Sequence, residues 1–324
     1  MVTGLVSVIL VNKNCGSLID LVFPTIVAQT YTPLEVIVVD NGSDDGSVER
    51  IRAEYPATRV IELGTNRGFS GALNAGIRDS AGEYVLSLNF DVTLQPDFVT
   101  NLVAALEARP DAGWAAGAMR KLTKDGVIDS IDCYGHWLLA SRYVYGYDPD
   151  HPQVAYYDST QEVFGASGCA VLYRRSMLEA IAVGGEVFDE DLFAYFEDVD
   201  LDWRAQQYGY KCVFTPAAEG GHMRGGTGLS QRPEVAALLL ANRFLVMIKN
   251  DDVRDALDDL SPIVRRTLQD VALHMHHPTA IVLAVGRVVR LAGRMLRKRR
   301  VIRRGRVPGP SPVKRFRLPT RFLG

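Results

Sequence analysis

The sequence predicts an α/β protein built on a mainly parallel sheet flanked by helices, with further helices at the C-terminus. Three observations carry that expectation. Short β-branched apolar runs recur along the N-terminal part, helix-compatible stretches alternate with them, and each run ends in a polar cluster. In such sheets ligands bind where the strands end, so the polar clusters are the positions to inspect.

The runs are VSVILV (6–11), LEVIVV (34–39), RVIEL (59–63) and EYVLSL (83–88). Helical patterning between them covers 17–29, 46–54 and 69–79, and continues with a helix at 97–108 and a strand at 113–119. Residues 120–160 are rich in Tyr, Asp and Gly without clear periodicity and read as loops with room for a hairpin. EVFGASGCAVLYRR (162–175) returns to strand character. FAYFEDVDLDWRAQQYGYKCVF then passes from an apolar segment into a helix and a strand ending near 214, and 235–249 and much of 253–273 are helical. The chain divides into a core domain at 1–250, a basic helical region at 251–304, and a basic tail at 305–324 expected to be extended or disordered.

At 324 residues, 47% hydrophobic and 23% charged, the chain has an ordinary globular composition. Its formal net charge of −2 conceals an asymmetry: residues 287–324 carry 14 Lys or Arg and no Asp or Glu, leaving −16 on the rest. Cys15, Cys133, Cys169 and Cys212 form no C-x-x-C pair and read as reduced core thiols of a cytosolic protein. The N-terminus enters an apolar strand at once, without the charged n-region of a signal peptide, and no apolar stretch has the length of a membrane span.

No G-x-G-x-x-G follows the first strand, which argues against a dinucleotide-dependent dehydrogenase. GASGC (165–169) lacks the final glycine of a nucleophile elbow, and neither a P-loop nor a zinc pattern is present.

The polar strand ends are Asn12 and Asn14; Asp40-Asn41-Gly42-Ser43; Asn66-Arg67-Gly68; and Asn89-Phe90-Asp91. Each alone serves a turn as well as a ligand, since turns use these residue types; their recurrence at four strand ends favours a site. A second group, Asp189, Glu190, Asp191, Glu197, Asp198, Asp200 and Asp202, lies within fourteen residues. Crowded carboxylates beside the apolar Phe193-Ala194-Tyr195-Phe196 oppose one another's ionisation and suit a general base; equally, they complement the positive end of a helix. GGHMRGGTG (220–228) sets His222 in a glycine-rich loop, where it reads either as a metal or phosphate contact or as a surface histidine.

Taken together and in order, SVILVNKN, VIVVDNGSDDGS, NRGFSGALNAGI, LNFDVTLQPDF, GASGCAVLYRRSML and FAYFEDVDLDWRAQQYGYKC followed by HMRGGTG resemble a family 2 glycosyltransferase of the GT-A fold, over roughly residues 5–250. Within it the likeness is to bacterial rhamnosyltransferase-type enzymes of cell-wall and surface-polysaccharide assembly. The resemblance implies a nucleotide-binding half at 1–119 and an acceptor and catalytic half at 120–250. It implies that Asp40 and Asn12 lie against the nucleotide base, that Asn66 and Gly68 line the sugar-nucleotide cleft, and that Asn89 and Asp91 occupy the place of the family's D-x-D. Asp91 would hold Mg2+ or Mn2+, with His222 as a further ligand and Arg224 near the diphosphate. Asp198 would be the general base, supported by Glu197 and Asp200. Asn89 departs from the family's first aspartate, and Phe90 stands where many rhamnosyltransferase-like relatives have proline, so the cation leans more on the donor's diphosphate.

The activity so implied is a single in-line displacement with inversion at the sugar's anomeric carbon, with dTDP-rhamnose as the leading donor and UDP-galactofuranose or UDP-GlcNAc as alternatives. A catalytically silent nucleotide-sugar-binding scaffold is the rival class. In TAIVLAVGRVVRLAGRMLRKRRVIRR (279–304), Arg287, Arg290, Arg294 and Arg297 recur every three or four residues with Val, Leu and Met elsewhere. That pattern suits an amphipathic helix at an anionic membrane surface better than nucleic acid, because few aromatics are interleaved. The expectation is a peripheral protein at the inner face of the plasma membrane acting on a lipid-linked glycan acceptor.

Overall fold

The first apolar run becomes strand β1 (Val2–Asn12), followed by a 3-10 turn (Gly16–Leu18) and helix α1 (Ile19–Val27). The computed structural model describes residues 1–123, 126–145, 159–223, 233–275 and 277–316. The alternation continues through β2 (Leu34–Asp40), α2 (Ser47–Glu54), β3 (Arg59–Glu62), α3 (Gly68–Asp79) and β4 (Gly82–Leu88). Parallel pairing sets Asn12 opposite Asp40, Asp40 opposite Glu62, and Leu10 opposite Leu88, so the strands end at one edge.

β5 (Val92–Leu94), α4 (Phe98–Glu107), β6 (Ala112–Thr123) and β7 (Gly126–Cys133) come next. β6 and β7 pair antiparallel as a hairpin, and β8 (Trp137–Leu138) and β9 (Val144–Tyr145) form a second, in the stretch that lacked periodicity. The domain closes with β10 (Gln161–Val163), β11 (Ala170–Arg174), α5 (Arg175–Ile181), α6 (Glu197–Gln207) and β12 (Lys211–His222). The main sheet runs β10-β12-β6-β11-β4-β1-β2-β3, with β5 on β12 and β7 on β6. β11 is antiparallel to β4 and β6, which makes the sheet mixed.

Successive residues of a strand face opposite sides of the sheet, and here both sides are apolar. Val8, Leu10 and Leu86 pack toward α1 and α4, whereas Ile9, Val85 and Tyr173 pack with side chains of α3, α5 and α6.

Four helices follow: α7 (Pro233–Asn250), α8 (Val253–Asp258), α9 (Leu260–Leu273) and the long α10 (Pro278–Gly305), then the short α11 (Pro312–Phe316). A third core unites them with the domain, since Leu291 and Met295 of α10 and Phe316 of α11 pack with Phe164, Trp203 and Leu245. No helix among the described residues is long and apolar enough to cross a membrane.

Three expectations need correction. The tail from 305 is not wholly extended, because Val313 and Phe316 are buried apolar anchors that hold 312–316 as a helix against the body; residues 317–324 lie outside the described residues. His222 belongs to a strand rather than a loop, since β12 runs on to 222 between β5 and β6. Glycine permits this: a Cβ on Gly220 would stand 2.7 Å from the Thr93 carbonyl oxygen. Finally, the arginines of α10 do not all belong to one solvent stripe, because Arg287 is half-buried while Arg290, Arg294 and Arg297 are exposed. Arg287 donates to the Asp191 backbone oxygen and Arg294 to its carboxylate, each at 2.5 Å.

Candidate active site

The first two strand ends knit into one polar corner. Asn12 Nδ2 donates to Asp40 Oδ1 at 2.9 Å and to Ser47 Oγ at 2.8 Å, and Asp40 Oδ2 accepts the backbone N–H groups of Gly42 and Ser43, both at 3.1 Å. Asn12 and Asp40 are buried, so their carboxylate and amide shape the 40–43 turn directly. Asn41, part of the second polar strand end but given no role there, ties this corner to the third strand end: its Oδ1 accepts Arg67 N–H at 2.7 Å and its Nδ2 donates to Gly68 O at 3.1 Å.

Asn66 is exposed and its Oδ1 accepts Gly68 N–H at 2.8 Å, opening α3. Gly68 has φ +75°, and a Cβ there would lie 2.4 Å from the backbone oxygen of Phe193. Only glycine fits such an approach in a left-handed conformation. The third strand end therefore touches the segment leading into α6.

That segment is strained in an ordered way. Phe193, Tyr195 and Phe196 all have positive φ, an uncommon state for bulky residues. Asn242 of α7 holds it by donating to the backbone oxygens of Leu192, Ala194 and Tyr195 at 2.8–2.9 Å. A lone Asn within the apolar run of α7 is the sequence signal that would have marked it. Lys249 and Lys298 grip Asp189 from either side, at 2.6 and 2.5 Å. Against the effect of burial, these two cations hold the Asp189 carboxyl well below its ordinary range.

The acidic group therefore divides. Asp200 is fully buried among Lys249, Arg204 and Asn250, and it braces α6 from within. Glu197 is buried; burial first, then the charge of Asp198, raises its pKa to about 8, so it is protonated at neutral pH. Asp198 is half-exposed, and its Oδ2 accepts the Gly168 N–H at 3.1 Å.

Gly168 and Cys169 connect this carboxylate to the fourth strand end. Asn89 N–H donates to Cys169 O at 2.8 Å, and Ser87 Oγ donates to Gly168 O at 3.2 Å. Asn89 is half-exposed, whereas Phe90 is buried against Phe23 at a ring separation of 6.2 Å. Asp91 accepts Met223 N–H on its backbone oxygen at 2.8 Å, and Val92 is paired with His222. This register sets His222 Nε2 3.6 Å from Asp91 Oδ1.

On its other side His222 Nδ1 lies 2.8 Å from Asp132 Oδ2, which was not anticipated from the sequence. Asp132 sits on β7 of the hairpin, ninety residues earlier in the chain. Burial raises the Cys15 thiol to about 11 against a bond to the Lys13 backbone, with smaller contributions from the charges of Asp91, Asp45 and Asp40. All four cysteines are free and buried. Arg224 lies outside the described residues. Among the described residues no cluster of three or more metal-ligating side chains occurs. A cation between Asp91 and His222 would have to complete its shell with oxygens from a ligand.

The model of glycosyl transferase family 2 matches residues 7–182. The chain belongs to glycosyl transferase family 2. This family 2 enzyme is 30% identical over 255 residues to the N-acetylglucosaminyl-diphospho-decaprenol L-rhamnosyltransferase of Mycobacterium tuberculosis, covering 72% of this chain and 81% of that one. It is 22% identical over 220 residues to a poly-beta-1,6-N-acetyl-D-glucosamine synthase of Staphylococcus epidermidis, where it spans 48% of the relative's length. Among solved structures, S. aureus TarS aligns with a TM-score of 0.55 at 18% identity, over 82% of this glycosyltransferase and 43% of TarS. The mannosyltransferase PcManGT of Pyrobaculum calidifontis, solved with GDP-Man and Mn2+, aligns with a TM-score of 0.53 at 20% identity, over 93% and 85%. These structural likenesses establish the GT-A fold.

Proposed function

We propose that this glycosyltransferase transfers L-rhamnose from dTDP-rhamnose, with inversion, to a hydroxyl of a lipid-linked glycan at the inner face of the plasma membrane, within cell-wall or surface-polysaccharide synthesis. The donor and acceptor rest on the mycobacterial relative, whose name specifies rhamnose and a decaprenol-linked acceptor. One geometric observation supports the catalytic assignment: half-exposed Asp198 and half-exposed Asn89 are fastened to consecutive residues, Gly168 and Cys169. This brings the carboxylate and the D-x-D position to the two sides of one short segment.

Asp198 takes the proton from the acceptor hydroxyl as its oxygen attacks the anomeric carbon, and the nucleoside diphosphate leaves from the opposite face. Protonated Glu197 spares Asp198 a second adjacent negative charge. Asp91 and His222 would hold Mn2+ or Mg2+, and imidazole as a ligand suits Mn2+ better than all-oxygen Mg2+. When bound, the cation neutralises charge developing on the departing diphosphate. The Asn12–Asp40 corner and the 66–68 turn receive the nucleotide, and Arg224 adds positive charge to the diphosphate. A second donor class, UDP-N-acetylhexosamine, is favoured by the similarity to the poly-N-acetylglucosamine synthase.

The test is Asp198→Asn. Turnover with dTDP-rhamnose is expected to fall by about 100-fold or more while nucleotide binding persists. Unchanged turnover would remove Asp198 as the base, and wild-type turnover with a UDP-sugar alone would reassign the donor.

A further inference from the structure

The helices α8 and α9 are packed inside out. A surface helix ordinarily buries its larger apolar residues and turns polar ones to water. Here α9 buries Ile263 and Asp270. It is held to the body by polar contacts: Arg243 reaches Thr267 at 2.7 Å and Tyr143 Oη reaches Asp270 at 3.0 Å. Its outward face carries Leu260, Val264 and Leu268, the last 64% exposed. α8 repeats the inversion, burying Asp255 while Val253 and Leu257 stand 63% and 64% exposed.

The two faces form one stripe. Hydrogen bonds from Asp259 N to Asp255 O and from Ile263 N to Asp259 O carry the helical path across the junction. Residues 253, 257, 260, 264 and 268 recur at helical spacing along it. The first turns of α10 continue the pattern by burying the small Ala280 and Ala284 while Val282 and Val285 are 70% and 59% exposed, before Leu291 and Met295 enter the core.

The charge around this stripe selects its partner. On α8–α9 Arg254 and Arg265 are exposed against one exposed carboxylate, Asp258, while Asp255, Asp259 and Asp270 are buried; along α10 Arg290, Arg297 and Arg300 are exposed and no carboxylate follows Asp270 up to residue 324. A second copy would bring these cations against one another. An anionic lipid surface would neutralise them and cover the apolar side chains together.

We propose that the outward face of α8–α9 docks this glycosyltransferase into the headgroup region of an anionic bilayer. The inference deepens the membrane-borne acceptor reading above and rests on it only for its purpose. It adds a surface beyond residues 279–304, and it does not depend on which sugar is transferred.

The experiment is flotation of the full-length protein with vesicles of phosphatidylcholine alone or mixed with phosphatidylglycerol, comparing wild type with Leu257→Gln/Leu268→Gln. Both side chains are largely exposed, so the pair should keep the wild-type Tm, and Val27→Gln, exposed elsewhere, serves as control. Wild type and control are expected to float with the anionic vesicles, and the double variant's partition should fall by about tenfold or more. Equal flotation of all three proteins overturns the proposal. So does a wild type that ignores vesicles but self-associates in solution while the double variant is monomeric. Donor hydrolysis in detergent, measured on the same proteins, reports on the transferase reading separately: its absence in wild type would sink that reading while leaving the docking result intact.

Discussion

The Nδ1 atom of His222 lies 2.8 Å from the carboxylate of Asp132, whose side chain is almost sealed from solvent. A carboxylate in this place fixes which ring nitrogen carries the proton, and it aims Nε2 toward Asp91. Replacing Asp132 by Asn is therefore expected to weaken Mn2+ binding by about 10- to 100-fold. Calorimetric titration of Mn2+ in the presence of a nucleoside diphosphate measures it without reference to turnover. Unaltered affinity would show that His222 is not a ligand, or does not need orienting.

Gly68 and Phe193 give a second prediction. With φ +75° and a prospective Cβ only 2.4 Å from a backbone oxygen, Gly68→Ala must displace either α3 or the segment entering α6. The left-handed strain alone costs about 1–3 kcal/mol. Because that segment presents Asp198, kcat should drop together with Tm. A Gly68→Ala protein with wild-type Tm and kcat would mean that the two elements are not rigidly joined.

The sheet edge was readable because its signals are local: β-branched runs, then Asn, Asp and Gly where strands end. The same locality explains what escaped notice. Asp132 meets His222 across ninety residues, and Asn242 reaches Tyr195 across 47, so neither partner is implied by spacing along the chain. The arginines of α10 looked like one stripe on a helical wheel. Only Arg287 leaves it, half-buried with its guanidinium on the Asp191 backbone oxygen 96 residues away, while Arg294 stays exposed as it pairs with the Asp191 carboxylate. The acidic run likewise read as one group, yet burial sorts it into a lysine-bound brace at Asp189 and Asp200, a protonated Glu197 and an accessible Asp198.

Glu197 should write itself into the pH dependence of stability. Its ordinary carboxyl value is 4.5, and burial with the neighbouring Asp198 charge raises it to about 8 in the fold. Between these values the unfolded chain has released a proton that the native state still binds. Stability from this group is thus greatest below the unfolded value and declines as pH rises toward about 8. Glu197→Gln removes the titration while mimicking the protonated acid. Its Tm, relative to wild type, should climb steadily between pH 5 and pH 8, and its turnover at neutral pH should survive where that of Asp198→Asn does not. A flat Tm difference across the window would mean that Glu197 is ionised in the fold.

Asn89 carries the last prediction. Its backbone N–H is anchored to Cys169, and its side chain is half-exposed beside Asp91, while Phe90 between them is committed to the core against Phe23. The backbone of this turn is therefore held by packing that does not involve the side chain at 89. Asn89→Asp can add a negative charge near Asp91 and His222 without rebuilding the turn. Divalent cations are bound more tightly as carboxylates are added to their shell, so Mn2+ affinity should rise by about tenfold or more, with less dependence on added nucleoside diphosphate. Mg2+ should gain proportionately more, since the new ligand is an oxygen. If both affinities stay at the wild-type level, residue 89 stands outside the cation's reach, and Asp91 with His222 is the whole of the protein's contribution.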